Sequence, residues 1–202
     1  MHPEAQTAGN VGPVLECNKI IVRRGARLAV GLDDQQQPAG FSLQIRPGEV
    51  LLLQAPNGWG KTTLFDAICG NEVLSAGTLW IKGQDATTMP TWNRCEQGLS
   101  ACQAGARLFG RLDVDEVSQL ARLPDGCLHH LSHLKGKRLD EMSGGERQLV
   151  AVSIAIETAR IRPGLLLLDE PLAMLDASAI RVVLDRLSTL SSAVIVLMPA
   201  AQ

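Results

Sequence analysis

The stretch Ala55-Pro56-Asn57-Gly58-Trp59-Gly60-Lys61-Thr62-Thr63 gathers the residue types that grip phosphate. Glycines at 58 and 60 let successive backbone N–H groups converge on an anion, and a helix beginning near Lys61 adds its positive end. In that arrangement the Lys61 ammonium reaches the β and γ phosphates and the Thr62 hydroxyl ligates Mg²⁺. Ala55 stands where the strict pattern asks for glycine, and a methyl is tolerated there if φ is negative. An ordinary Gly-rich turn is the competing explanation. A strand before, a helix after and Lys-Thr at the right place all count against it, so residues 55 to 63 are candidate nucleotide contacts.

A second group lies at the end of the apolar run LLLLD, followed by Glu170 and Pro171. A strand that delivers two adjacent carboxylates at its end can set Asp169 beside the metal and Glu170 beside the attacking water as general base. The third group is MSGGERQ, residues 142 to 148. Ser143, Gly144 and Gly145 precede a helical run, which makes a helix N-terminus with exposed amides, either a plain cap or a second anion site.

With these three motifs in this order, the sequence resembles the ATP-binding cassette (ABC) ATPases, the motor subunits of ABC transporters, over about residues 14 to 199. The resemblance implies ATP and Mg²⁺ as cofactors. It also implies a second ABC ATPase subunit, of the same or a different kind, joined head to tail. Ser143, Gly144 and Gly145 would then act on a nucleotide held by the partner's phosphate loop. Gln103, in LSACQ ahead of ARLF, matches the family's glutamine loop, implying a contact to Mg²⁺ and water that also senses a transmembrane permease. Asp176, closing AMLD, matches the loop that crosses the dimer face and also reads as a helix cap. TTLFDAICG and ARLF lean toward importers of the branched-chain amino-acid type, while the short length also suits compact exporters.

Three positions depart from that family. Arg24 stands where an aromatic side chain commonly stacks on adenine, and a guanidinium plane can take that place. Trp59 is bulky at a position usually small, and either crowds the dimer face or packs locally. Pro199 aligns with a histidine that contacts the γ-phosphate, and proline offers neither ring nitrogens nor a backbone donor. Two readings therefore stand: a subunit that hydrolyses ATP to energise a membrane transporter, and a degenerate subunit that completes a partner's site through its signature residues.

The elements that must position these groups follow from apolar patterning. Strands are expected at 14–24, 41–45, 49–54, 165–169 and 193–198, and helices at 61–69, 143–160 and 176–190. EVLLLQ, LLLLD and AVIVLM read as strands buried on both faces of a parallel sheet. The expected fold is α/β, with a P-loop parallel-sheet core, an antiparallel N-terminal β layer and a small helical subdomain at about 87–160. Residues 14–202 form one domain behind a loose tail at 1–13. The block 104–142 reads as a mostly helical insert.

Composition narrows the partners. The formal net charge of −2 lacks the basic excess of a general nucleic-acid binder. Five cysteines at scattered spacings, with no C-x-x-C pair, fit reduced thiols in a cytosolic protein. No apolar run reaches the length of a membrane span. Membrane contact is expected only through the permease, on the cytoplasmic face. His129, His130 and His133 read as part of a solvated or partner-facing insert rather than a metal site.

Overall fold

The computed structural model describes residues 12–33, 35, 37–105 and 110–200. The expected tail, up to residue 11, and the ARLF segment at 106–109 lie outside the described residues.

Alternating burial along Leu15–Arg24 (β1) makes it the hub of an antiparallel layer. It pairs with Arg27–Val30 (β2), Phe41–Ile45 (β3) and Leu74–Ile81 (β5), and β5 pairs with the short Gln84–Asp85 (β6). Leu15 faces Ile45 on one side and Ile81 on the other, and Val22 faces Val30. This inward face packs on Leu64, Phe65 and Ile68 of Lys61–Cys69 (α1).

The second sheet is parallel, in the order Val50–Ala55 (β4), Ala193–Pro199 (β9), Leu165–Asp169 (β8) and Leu99–Cys102 (β7). Side chains of β8 and β9 alternate between two cores. Leu165, Leu167, Ile195 and Leu197 turn toward α1 and the antiparallel layer, and Leu166, Leu168, Val194 and Val196 turn toward Gly144–Ile161 (α4) and Ala177–Leu187 (α5). That double burial is why both strands read as unbroken apolar runs.

β4 departs from this expectation. It pairs only with β9 among the described residues, so it is an edge strand. Val50 is 65% exposed and Leu52 52% exposed, while Leu51 and Leu53 pack inward. Hydrophobicity alone does not tell a central strand from an edge, because partners are set by the rest of the chain.

The block 104–142 is also less helical than its composition suggested. Among its described residues only Val114–Leu120 (α3) is α-helix, followed by 3₁₀ turns at His129–Leu134 and Leu139–Glu141. Pro124 and the glycines at 126 and 136, both at positive φ, interrupt any longer helix. Its leucines 123, 128, 131, 134 and 139 still bury against α4. Thr91–Glu96 (α2) leads into β7.

Candidate functional site

β4 ends at Ala55, and the chain turns through Gly58 (φ 85°) and Gly60 (φ 110°) before α1 begins at Lys61. A Cβ on Gly60 would collide with the Ala29 carbonyl oxygen of β2, so this glycine is required by close approach as well as by φ. Lys61 is buried, and its Nζ donates to the carbonyls of Ala55 (2.8 Å) and Pro56 (3.2 Å). It forms no ion pair with a carboxylate among the described residues, so its charge stays available inside the loop.

Every residue of β8 is buried, and the strand carries Asp169 to its end at 1% exposure. Asp169 Oδ2 accepts from the Thr62 hydroxyl at 3.2 Å. Oδ1 is buried with no partner among the described residues. Burial raises the Asp169 carboxyl above its ordinary range; the Thr62 hydrogen bond opposes this and the neighbouring Glu170 charge adds to it. An orphaned carboxylate oxygen next to a hydroxyl is a hard oxygen donor set, and it fits Mg²⁺. Glu170 follows at φ 47°, a left-handed conformation uncommon outside glycine, fixed by its N–H donating to Leu197 O at 2.9 Å. A cavity of 360 Å³ brings Glu170 together with Asn57, Gly58, Gly60, Lys61, Thr62 and Thr63, and Arg24, Arg27 and Ala29 line it from the antiparallel layer.

Other expected residues sit in different surroundings. Arg24 reaches that cavity, yet its guanidinium donates to Asp66 Oδ2 (2.7 Å) and Glu72 Oε1 (3.1 Å). Trp59 packs edge-on against Phe41, ring centroids 5.7 Å apart, so local packing accounts for its bulk. Pro199 ends β9 opposite Ala55, and the next residue, Ala200, donates its N–H to Ala55 O. Gln103 follows β7 at the same sheet end as Asp169, since Cys102 pairs with Leu168. It lines a separate 590 Å³ cavity between α1, α2, β7 and α4 rather than the one holding Lys61.

The signature residues form another locus. Ser143 caps α4 by accepting from Glu146 N, while Glu146 accepts from Ser143 N. The Lys137 ammonium and the Ser143 amide hold the Glu146 carboxyl down at about 2. A Cβ on Gly145 would stand 2.5 Å from Met174 O, and one on Gly144 3.1 Å from Met174 Sδ, so both glycines let the chain ahead of α5 lie on α4. Asp176 caps α5, accepting from Ser178 N, Ala179 N and the Ser178 hydroxyl, and the Ser178 hydroxyl above all draws its carboxyl below the usual range. Ser143, Gly145 and Asp176 line one 410 Å³ cavity with His130 and His133.

His130 is half-buried rather than solvated, its Nε2 2.9 Å from Ser153 Oγ. Burial, with Arg186, His129 and His133 nearby, lowers it to about 4. Arg94 escaped sequence reasoning altogether. It is 2% exposed and donates to the carbonyls of Met89, Ala67, Ile68 and Ala86, tying α2 to the end of α1. Nothing in a lone arginine within TWNRCE signals four backbone acceptors.

The family profile of the ABC transporter matches residues 39–173, which holds the phosphate loop, the signature residues and the Asp169–Glu170 pair. The chain belongs to the ABC transporter ATP-binding family. As an ABC cassette it is 32% identical over 181 residues to the hemin import ATP-binding protein of Pseudomonas fluorescens, covering 81% of this chain and 67% of that one. It is 35% identical over 151 residues to the putative 2-aminoethylphosphonate import ATP-binding protein of Salmonella typhimurium, covering 68% and 39%. Against an uncharacterized ABC transporter ATP-binding protein of Rhizobium meliloti the identity is 33%, covering 68% and 55%. The cassette thus spans about half the length of several curated relatives. Its fold is that of a nucleotide-free ATP-binding cassette from an ABC transporter, with TM-score 0.74 at 22% identity over 92% of this chain and 81% of that one.

Proposed function

We propose that this chain binds and hydrolyses ATP to energise a membrane import system. The observation that carries the reading is the single cavity where Lys61, Thr62 and Glu170 meet beside the buried Asp169. The amides after Gly58 and the Lys61 ammonium would neutralise a triphosphate. Thr62 and Asp169 would hold Mg²⁺, which supplies neutralisation of the β- and γ-oxygens when bound. Glu170, at the strand end, would accept the proton of the attacking water as the γ-phosphorus is attacked and the bond to ADP breaks.

The separate cavity of Ser143, Gly145 and Asp176 supports a second ABC ATPase subunit, each copy lending its signature residues to the other's nucleotide. Gln103 lines a separate cavity, but it follows β7 at the sheet end that carries Asp169, and from there it would act as the contact to Mg²⁺ and water and to the permease. The likeness to import ATP-binding proteins supports contact with a transmembrane permease, made on its cytoplasmic side; no helix of the described residues is long and apolar enough to cross a membrane. Residues 14–202 would act as one unit, with the helical part at about 87–160. Import rests on the likeness to the hemin and 2-aminoethylphosphonate import proteins, whose different cargoes leave the solute class open.

The test is direct. Lys61→Ala should raise the Kd for Mg·ATP at least roughly tenfold, through loss of a charge-assisted contact. Glu170→Gln should bind normally and abolish hydrolysis. Unchanged binding in the first variant removes the phosphate-loop assignment, and unchanged turnover in the second removes Glu170 as base.

A further inference from the structure

The chain between β8 and α5 runs from the Lys61 cavity, which Glu170 lines, to the Ser143 cavity, which Met174, Leu175 and Asp176 line. Two of its residues take a left-handed backbone without being glycine, Glu170 at φ 47° and Met174 at φ 65°. Such a residue is held there at a cost, and it stays only where its surroundings leave the chain no easier path. Around Glu170 those surroundings can be named. Its N–H donates to Leu197 O at 2.9 Å, and its carbonyl accepts from Ala173 N at 3.1 Å. The next carbonyl along, that of Pro171, accepts from Nε2 of Gln148 at 3.3 Å.

Packing alone does not explain a glutamine at 148. The side chain is fully buried on α4, at 0% exposure, and its Oε1 has no partner among the described residues. A half-satisfied buried amide costs stability that an apolar residue of the same size would not. The half that is satisfied is the donor to Pro171, a buried residue whose carbonyl is its one backbone polar group. Gly145 stands three residues earlier on the same face of α4, under Met174 O. The helix therefore meets the 170–176 segment twice, once beside each of its left-handed residues.

We propose that Gln148 is a positioning residue for hydrolysis: its amide fixes Pro171 and so keeps the Glu170 carboxylate in the Lys61 cavity. This rests on the ATP-hydrolysis reading above. Gln148 lines neither that cavity nor the Ser143 cavity, so it acts through Glu170 and not on the nucleotide.

The experiment measures turnover, Mg·ATP affinity and urea midpoint on the full chain. Gln148→Leu keeps the bulk and removes both the donor and the orphaned oxygen. We expect kcat to fall roughly tenfold or more, the cost of a misplaced catalytic group, with the Kd for Mg·ATP within about twofold of wild type. The urea midpoint should stay close to that of wild type. Gln148→Asn keeps an amide but draws it back by one methylene, and it should show the same split if the leucine chain folds poorly. In a Glu170→Gln background, where single-turnover assays read only residual hydrolysis, Gln148→Leu should cause no further loss, because the group it positions is already gone. The proposal is overturned if kcat is unchanged in both variants, if Mg·ATP affinity falls in step with kcat, or if the two losses add in the double variant. A Glu170→Gln chain that turns over like wild type strikes the hydrolysis reading and this proposal together. With that chain inert and both Gln148 variants fully active, only the proposal fails.

Discussion

The Thr62 hydroxyl meets the Asp169 carboxylate at 3.2 Å across 107 residues of chain, and the other Asp169 oxygen is buried without a partner. Helix α1 and strand β8 thus present one hydroxyl and one charge to the same point. Asp169→Asn keeps the shape and the Thr62 contact and removes the charge. We expect hydrolysis to fall by roughly a hundredfold or more, with half-maximal activity displaced to higher Mg²⁺. Folding stability should hold or rise, because a buried charge lacking its counterpart is costly. A magnesium titration of turnover beside urea unfolding checks both, and an unmoved Mg²⁺ response would remove Asp169 as the metal partner.

Gly145 lies under the Met174 carbonyl, where a methyl has 2.5 Å of room. Gly145→Ala must push the chain ahead of α5 off α4. The expected loss is about 1–3 kcal/mol of stability, the usual cost of overpacking, read as a lower urea midpoint. If the signature residues complete a nucleotide site, turnover falls in the same variant while Mg·ATP affinity at its own loop stays the same.

Arg94 supplies donors to four backbone carbonyls. Arg94→Met retains length and apolar bulk and leaves those acceptors unsatisfied, so we expect a loss of roughly 3 kcal/mol or more. Hydrogen exchange should rise first at the end of α1 and in α2. A variant as stable as wild type would mean water replaces the guanidinium at no cost.

His130 gives a pH signature. Its folded value, lowered to about 4 from an ordinary 6.5, means the unfolded chain takes up the proton first. Its contribution to stability is complete above pH 6.5, declines as pH falls toward 4 and is constant below. The groups facing it are Ser153 on α4, Arg186 on α5, and His129 and His133 on its own turn. Urea midpoints for wild type and His130→Gln should diverge least at pH 4 and most above 6.5, if glutamine keeps the Ser153 bond at the cost of some packing. Parallel curves would show that His130 does not carry the decline.

Much of the site was legible because its chemistry is local. The loop from Ala55 to Thr63, the carboxylates at 169 and 170 and the Ser143 cap each depend on neighbours within a few residues, and α1 runs from Lys61 to Cys69 as the sequence indicates. The family and its α/β fold were legible for the same reason. What stayed hidden depends on distant partners. Trp59 on Phe41, Arg24 between Asp66 and Glu72, and the edge position of β4 are all decided by segments 18 to 144 residues away. The strand β5 was missed because its run, LSAGTLWI, is broken by a glycine and polar residues that a one-sided antiparallel strand tolerates.

The Lys61 cavity and the Ser143 cavity occupy different places on one chain, so damage to either leaves the other whole. In a paired assembly this permits complementation. A chain with Lys61→Ala and a chain with Ser143→Ala, each inert when alone, would together build one ruined seat from two defective halves and one sound seat from two intact halves. Mixing the two inactive preparations should therefore revive turnover, and the recovered fraction would count how often unlike copies meet.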